Sequence, residues 1–143
     1  MDIEGGEWDW LECLEQNELN RITQMTIELH FFFNLKKKTN HNEEFAERFK
    51  IIEKLNEQFF LMHVHGNNNS NLFKYGGEVY PSVIECTYVN KKCFKNNSKF
   101  FVIRNIISFP YELDEANNEH IPDINSVLNK PPFKFNELRK VDT

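Results

Sequence analysis

The chain has 143 residues, 40% of them hydrophobic and 27% charged, a balance ordinary for one folded domain with a real core. Its net charge of −5 offers phosphate no basic face, which excludes general nucleic-acid binding. No apolar run approaches the roughly 18 residues that cross a bilayer, and no signal peptide precedes Asp2; the chain reads as soluble, and any anchor or signal is left to a longer form.

The opening stretch, Met1 to Glu12, sets two carboxylates, Asp2 and Glu4, before the pair Gly5-Gly6, and a helical pattern follows at once. Carboxylates, a tight turn and then a helix describe the carboxyl end of a strand in an α/β protein, where ligands bind. From Glu7 to about Asn20 the spacing predicts one helix. Trp8, Leu11, Leu14 and Leu19 lie near one face, Leu19 falling one position late, while Glu7, Asp9, Glu12 and Glu15 point outward. Acidic residues in the first turn suit the positive end of the helix dipole.

Met25 to Phe31 alternates cleanly, with Met25, Ile27, Leu29 and Phe31 apolar and Thr26, Glu28 and His30 polar, which predicts a strand with one apolar face. Lys36-Lys37-Lys38 then falls in a loop, read as solvated or as a phosphate contact. Asn42 is a candidate cap for a helix from Glu43 to about Glu57, whose apolar face is Phe45, Phe49, Ile52, Leu55 and Phe59. Phe59 to His65 predicts a second strand, ended by the Gly66 to Asn71 run. The stretch with Gly76-Gly77 and Pro81 reads as loop, Val83 to Val89 as a third strand and Phe100 to Ile107 as a short one. From Ser108 onward the prolines at 110, 122, 131 and 132 predict an extended tail with a helical turn near Ile124 to Leu128. The expected division is therefore 1–107 for the folded domain and 108–143 for the tail. Strands separated by helices are expected to run parallel, and the loop between the last two allows an antiparallel strand to insert.

Fourteen phenylalanines and the asparagine runs are explained by an AT-rich coding sequence. Cys13, Cys86 and Cys93 are too few and too scattered for a disulfide framework or a zinc knuckle. They read as three reduced thiols, or as one free thiol with a Cys86–Cys93 pair across a turn.

Several of these stretches are similar to one family. Asp2-Ile3-Glu4-Gly5-Gly6-Glu7-Trp8 resembles the motif after the fourth strand of the FkbM-like methyltransferases, a branch of the S-adenosylmethionine-dependent Rossmann-like enzymes. Ile27-Glu28-Leu29-His30-Phe31 resembles the family's fifth strand, and His63-Val64-His65-Gly66-Asn67-Asn68 its sixth strand and following turn. Pro81-Ser82-Val83-Ile84-Glu85-Cys86-Thr87-Tyr88 resembles the seventh, while Phe109 to Asn118 and Pro122-Asp123-Ile124 are similar to the closing segment.

The resemblance implies an α/β fold, a partial Rossmann-like sheet made of strands five, six and seven with flanking helices. It also implies methyl transfer from S-adenosylmethionine to an oxygen of an unidentified small-molecule or glycan-type acceptor. The family's glycine-rich cofactor turn follows its first strand, and this sequence has no G-x-G turn between a strand and a helix. The resemblance therefore covers the C-terminal half of a methyltransferase domain, and this stretch alone is not expected to bind S-adenosylmethionine. A non-catalytic interaction or scaffold domain, or a truncated pseudoenzyme, is the alternative. A half-sheet would leave a strand edge exposed and favour self-association.

Asp2, His30 and His65 are the candidate catalytic residues on the acceptor side. Asp2 stands where the resemblance places a carboxylate near methyl donor and acceptor; otherwise it orders the turn while Glu4 caps the helix. The alternation puts Glu28 with His30, His63 with His65, and Glu85 with Thr87, each pair on one strand face. Neighbouring strands in register would gather these groups near the strand ends, where His30, His65 and Asp2 suit acid–base chemistry or a divalent metal in a hydrolase. No H-x-x-x-H spacing is present and no metal is expected; the plainer reading is a polar face bonded to backbone and water. Asn67, Asn68 and Asn69 line a pocket mouth or form a surface loop. Trp8 belongs to the core rather than to an adenine stack, and no serine or cysteine sits in a nucleophile elbow.

Overall fold

The computed structural model describes residues 1–31, 41–94, 100–104, 115–122, 128, 130–133 and 136–140. In chain order the elements are α1 (Glu7–Cys13), α2 (Gln16–Arg21), β1 (Gln24–His30), α3 (His41–Gln58), β2 (Phe59–Gly66), β3 (Leu72–Tyr75), β4 (Glu78–Pro81) and β5 (Val83–Asn90). A 3-10 turn (Lys91–Cys93), β6 (Phe100–Arg104) and β7 (Asn136–Lys140) follow.

The protein is a mixed α/β structure around a small sheet in the order β1-β5-β2. Both pairings in it are antiparallel, so β1 and β2 run the same way with β5 between them. The two strands joined through α3 are thus parallel in direction but do not pair, because β5 inserts between them. The sheet's register stacks apolar rows of three: Met25, Tyr88 and Leu61, then Ile27, Cys86 and Val64. A bulge between Leu61 and His63 makes this work. Apolar residues in β2 fall at Phe59 and Leu61 and then at Val64, and the extra residue Met62 corrects the phase.

Helices α1 and α3 press Trp8, Leu11, Phe45, Ile52 and Leu55 onto that apolar face, forming one core. Leu128 and Phe133 join it, both fully buried. The opposite face carries Thr26, Thr87, Glu28 and Glu85, and Thr26 and Thr87 meet there in solvent. One apolar and one partly wet face is the habit of antiparallel sheets. Among the described residues no helix is long and apolar enough to cross a membrane.

Several sequence-based expectations change here. The single helix from Glu7 is two, because Leu14 leaves the helical conformation and Glu15 starts α2 with a capping box to Glu18. Asn42 lies inside the first turn of α3, which is already helical at His41, rather than at the position before the helix. The loop around Gly76-Gly77 is a hairpin in which β3 pairs β4, turning on the positive φ of both glycines. Pro81 is the last residue of β4, a position that tolerates its missing N–H. β6 pairs β7, so residues on either side of the expected boundary at 107 and 108 form one ladder. The three cysteines are free, Cys86 buried and Cys13 and Cys93 exposed. Lys36-Lys37-Lys38, Ile107, Phe109-Pro110 and the turn at 124–127 lie outside the described residues.

Candidate functional site

Strands β1 and β2 both end at the same edge of the sheet, and β5 begins there. His30 is the last residue of β1 and is 4% exposed. Its imidazole Nδ1 lies 3.2 Å from Oε1 of Glu7, a carboxylate with no solvent exposure at all. Burying a carboxylate is costly unless it is hydrogen-bonded. Glu7 meets that cost by accepting the backbone N–H of Ile3 at 2.9 Å and of Gly5 at 3.0 Å. One side chain thus ties the opening turn, α1 and β1 together. The turn itself uses left-handed backbone at Glu4 (φ 53°) and Gly5 (φ 101°). The glycine adopts this freely; the glutamate adopts it at a cost of about 1–2 kcal/mol, a kind of strain that collects at functional sites.

The other imidazole nitrogen, Nε2, faces carboxylates from three sides: Glu4 at 3.7 Å, Asp2 at 3.9 Å and Glu28 at 4.0 Å. Among the described residues the His30 imidazole lies within 4.0 Å of all four carboxylates, Asp2, Glu4, Glu7 and Glu28. The Glu28 carboxyl is raised above the ordinary carboxylate range by burial first and then by Asp2 and Glu85, with His30 acting the other way. The backbone around His30 is also fixed, since its carbonyl accepts the Trp8 indole N–H at 2.6 Å. Arg48 lies over the Trp8 ring, 5.3 Å from its centroid, and pairs with Glu44.

A cavity of about 340 Å³ opens beside this cluster. Glu4, Glu28 and His30 form one wall, and Asn67, Asn69 and Asn71 from the turn after β2 form another. Ser70, Ser82 and Val83 also line it; the Ser82 hydroxyl is buried and has no hydrogen-bond partner among the described residues. Asn68 has a different task. Buried at 3% exposure, its amide donates to the carbonyls of Asn118 and Ile121 and accepts the N–H of Asn118. It pins a distant segment beside the cavity.

The structure brings two of the expected site residues, Asp2 and His30, together. His65 stands apart, two strands over, with Nδ1 at 4.0 Å from Glu85. Register aligns Glu28, Glu85 and His65 in one row across the sheet, and Thr26, Thr87 and His63 in the next. Two residues of the site escaped sequence reasoning. Glu7 was expected on the outer face of its helix but is buried, and it, rather than Asp2 or Glu4, orders the turn. No side chain caps α1 at its Gly6 N-cap. The available signal was its place just after Gly5-Gly6, within reach of the turn's N–H groups. Ser82 gave no signal, lying between Pro81 and a regular strand.

The described residues hold no glycine-rich turn between a strand and a helix; Gly76-Gly77 serves the β3–β4 hairpin. No residue among them is assigned to S-adenosylmethionine. No family model matches the chain, nor does any curated protein or solved structure.

Proposed function

We propose that this chain forms the acceptor-side, C-terminal half of a Rossmann-like methyltransferase domain of the FkbM-like kind, acting on a hydroxyl of a small molecule or glycan. One observation carries this reading. The Met1 amine donates to the Thr26 carbonyl at 2.6 Å, and the Met1 carbonyl accepts the Glu28 N–H at 2.9 Å. Bonds from one residue to the two flanking a single partner are the pattern of a parallel neighbour. Met1 thus lies against the outer edge of β1 in a parallel sense, which supports reading it as the end of a fourth strand beside a fifth. Insertion of β5 antiparallel between β1 and β2 supports the same arrangement at the sheet's other end.

In this reading Asp2 and His30 face the acceptor. Glu7 holds the imidazole in one orientation, leaving Nε2 toward the cavity side, where it takes the proton of an acceptor hydroxyl. His65, two strands away beside Glu85, is given no part in this step. S-adenosylmethionine would supply the methyl group; binding and orienting the acceptor are the tasks of these residues. Calorimetric titration of the chain with S-adenosylmethionine, with a thermal-shift measurement alongside, tests the reading. Saturable heat would support methyl transfer by this chain itself, against the expectation for a half without the glycine-rich turn. No heat or shift at millimolar cofactor would remove methyl transfer by this chain and leave the non-catalytic reading.

The second reading, a non-catalytic interaction domain, is favoured by the lack of a glycine-rich turn among the described residues. Edge-to-edge self-association through β1 belongs to either reading. A monomer in sedimentation at high concentration would rule it out.

A further inference from the structure

We propose that Asp2, Glu28 and His30 bind a divalent cation at the mouth of the polar cavity, with Glu7 as the group that orients the imidazole. One ligand atom from each of the three residues lies within 4.8 Å of the others. A cation set among them would draw the atoms inward only slightly, because ligand atoms about 2.1 Å from a common metal stand roughly 3 Å apart. Asp2 is on the exposed turn and Glu28 is a partly exposed side chain, so both can make that movement.

Three further features point to a ligand here. The imidazole has one nitrogen against a buried carboxylate and the other facing Asp2, Glu4 and Glu28, the arrangement in which a carboxylate orients a metal-ligating histidine. Four carboxylates, of Asp2, Glu4, Glu7 and Glu28, gather within 4.0 Å of one imidazole. The third feature is the Ser82 hydroxyl, buried in the wall of the same cavity without a partner among the described residues. A buried hydroxyl without a partner calls for one, and an oxygen ligand in the cavity would serve. A hydrated cation supplies both positive charge and a water oxygen. Three protein ligands leave positions open toward Asn67, Asn69 and Asn71, where a polyhydroxylated molecule could chelate the metal. One nitrogen with carboxylate oxygens suits Mn²⁺ or Zn²⁺ better than Mg²⁺ or Ca²⁺, which prefer oxygen alone.

The site rests on the geometry of the cluster that the methyl-transfer reading also uses. A cation on His30 Nε2 would occupy the lone pair which that reading gives to the acceptor proton, so the two uses of His30 are alternatives and can fail separately. Titrating the full chain with MnCl₂, followed by calorimetry and by paramagnetic broadening of the His30 ring protons, is the test. Saturable binding at one site is expected, with the broadening centred on His30 rather than His63 or His65. Asp2→Asn with Glu28→Gln should abolish that broadening while the circular dichroism spectrum stays unchanged. Glu7→Gln should weaken binding by about 10–100-fold, the usual effect of losing an orienting partner. No saturable Mn²⁺ or Zn²⁺ binding at millimolar metal would overturn the proposal. So would unchanged binding in the folded double variant, which would identify an adventitious surface ion. Mn²⁺ binding without any response to S-adenosylmethionine would keep the cation site and remove the methyltransferase reading.

Discussion

Asn90 is fully buried at the end of β5, and its amide serves both sides of the fold. The nitrogen donates to the carbonyls of Leu19 at 3.1 Å and Ile22 at 2.9 Å, closing the end of α2. The oxygen accepts from Gln58 at the end of α3 and from the Lys92 N–H. Truncation leaves these groups without their partner, so Asn90→Ala should lower unfolding free energy by about 2–4 kcal/mol in urea. A loss below about 1 kcal/mol would mean that water takes the amide's place. Cysteine reactivity belongs to this scale too. Burial pushes the Cys86 thiol far above the ordinary thiol range, against a small opposing effect of Tyr88. A mild thiol reagent at slightly alkaline pH should therefore modify Cys13 and Cys93 in the native chain and Cys86 only after denaturation. Equal labelling of three thiols in the native state would contradict the burial.

At the scale of elements, the contact between β2 and the β4 end is tight. A Cβ added at Gly66 would sit 2.7 Å from Pro81 Cγ and 3.2 Å from Leu128 Cδ1. Gly66→Ala should cost about 1–3 kcal/mol, because the proline ring cannot move without shifting β4. An unchanged melting temperature would show that Leu128 and Pro81 yield freely. The three sheet strands were legible because alternation survives in each: Met25, Ile27 and Leu29 all point into the core. The 59–66 strand was read despite its bulge, since His63 and His65 still share a face. What failed was short or local. The β3–β4 hairpin has four residues per strand and ends on a proline, so its glycines looked like loop. The break between α1 and α2 did leave a trace, the late position of Leu19, which marked a change of helix rather than an imperfect one.

For the whole molecule, one aromatic network joins the layers. Phe31 touches Trp8 with ring centroids 4.9 Å apart and Phe73 at 5.1 Å, and it reaches Phe45, Phe49 and Phe133 within 6.3 Å. It thereby links α1, β1, α3, the hairpin and the 130–133 segment. Phe31→Ala should cost about 3–5 kcal/mol and red-shift the Trp8 emission in the native baseline. A loss confined to the hairpin, with the rest still melting cooperatively at the original temperature, would mean that the layers are not one unit. The site was less legible than the fold for a related reason. Asp2 and His30 were identified from an edge and an alternation, both local patterns. Glu7 joins the candidate site through a tertiary contact with His30, and Ser82 through a cavity, and neither arises from spacing along the chain.

The central place of β5 bears on how the chain is made. Thr26 and Thr87, neighbours on the sheet, are 61 residues apart in sequence. A ribosome delivers β1, α3 and β2 well before the strand that joins them. Until Asn90 emerges, the edges of β1 and β2 that β5 will occupy have no hydrogen-bonding partner in the sheet. The sheet cannot assemble pairwise as it is synthesised; it closes in a late step that brings distant strands together, so folding should be slow for a chain this size. The interval before that closure is when the two parallel-running strands are open to pairing with other chains.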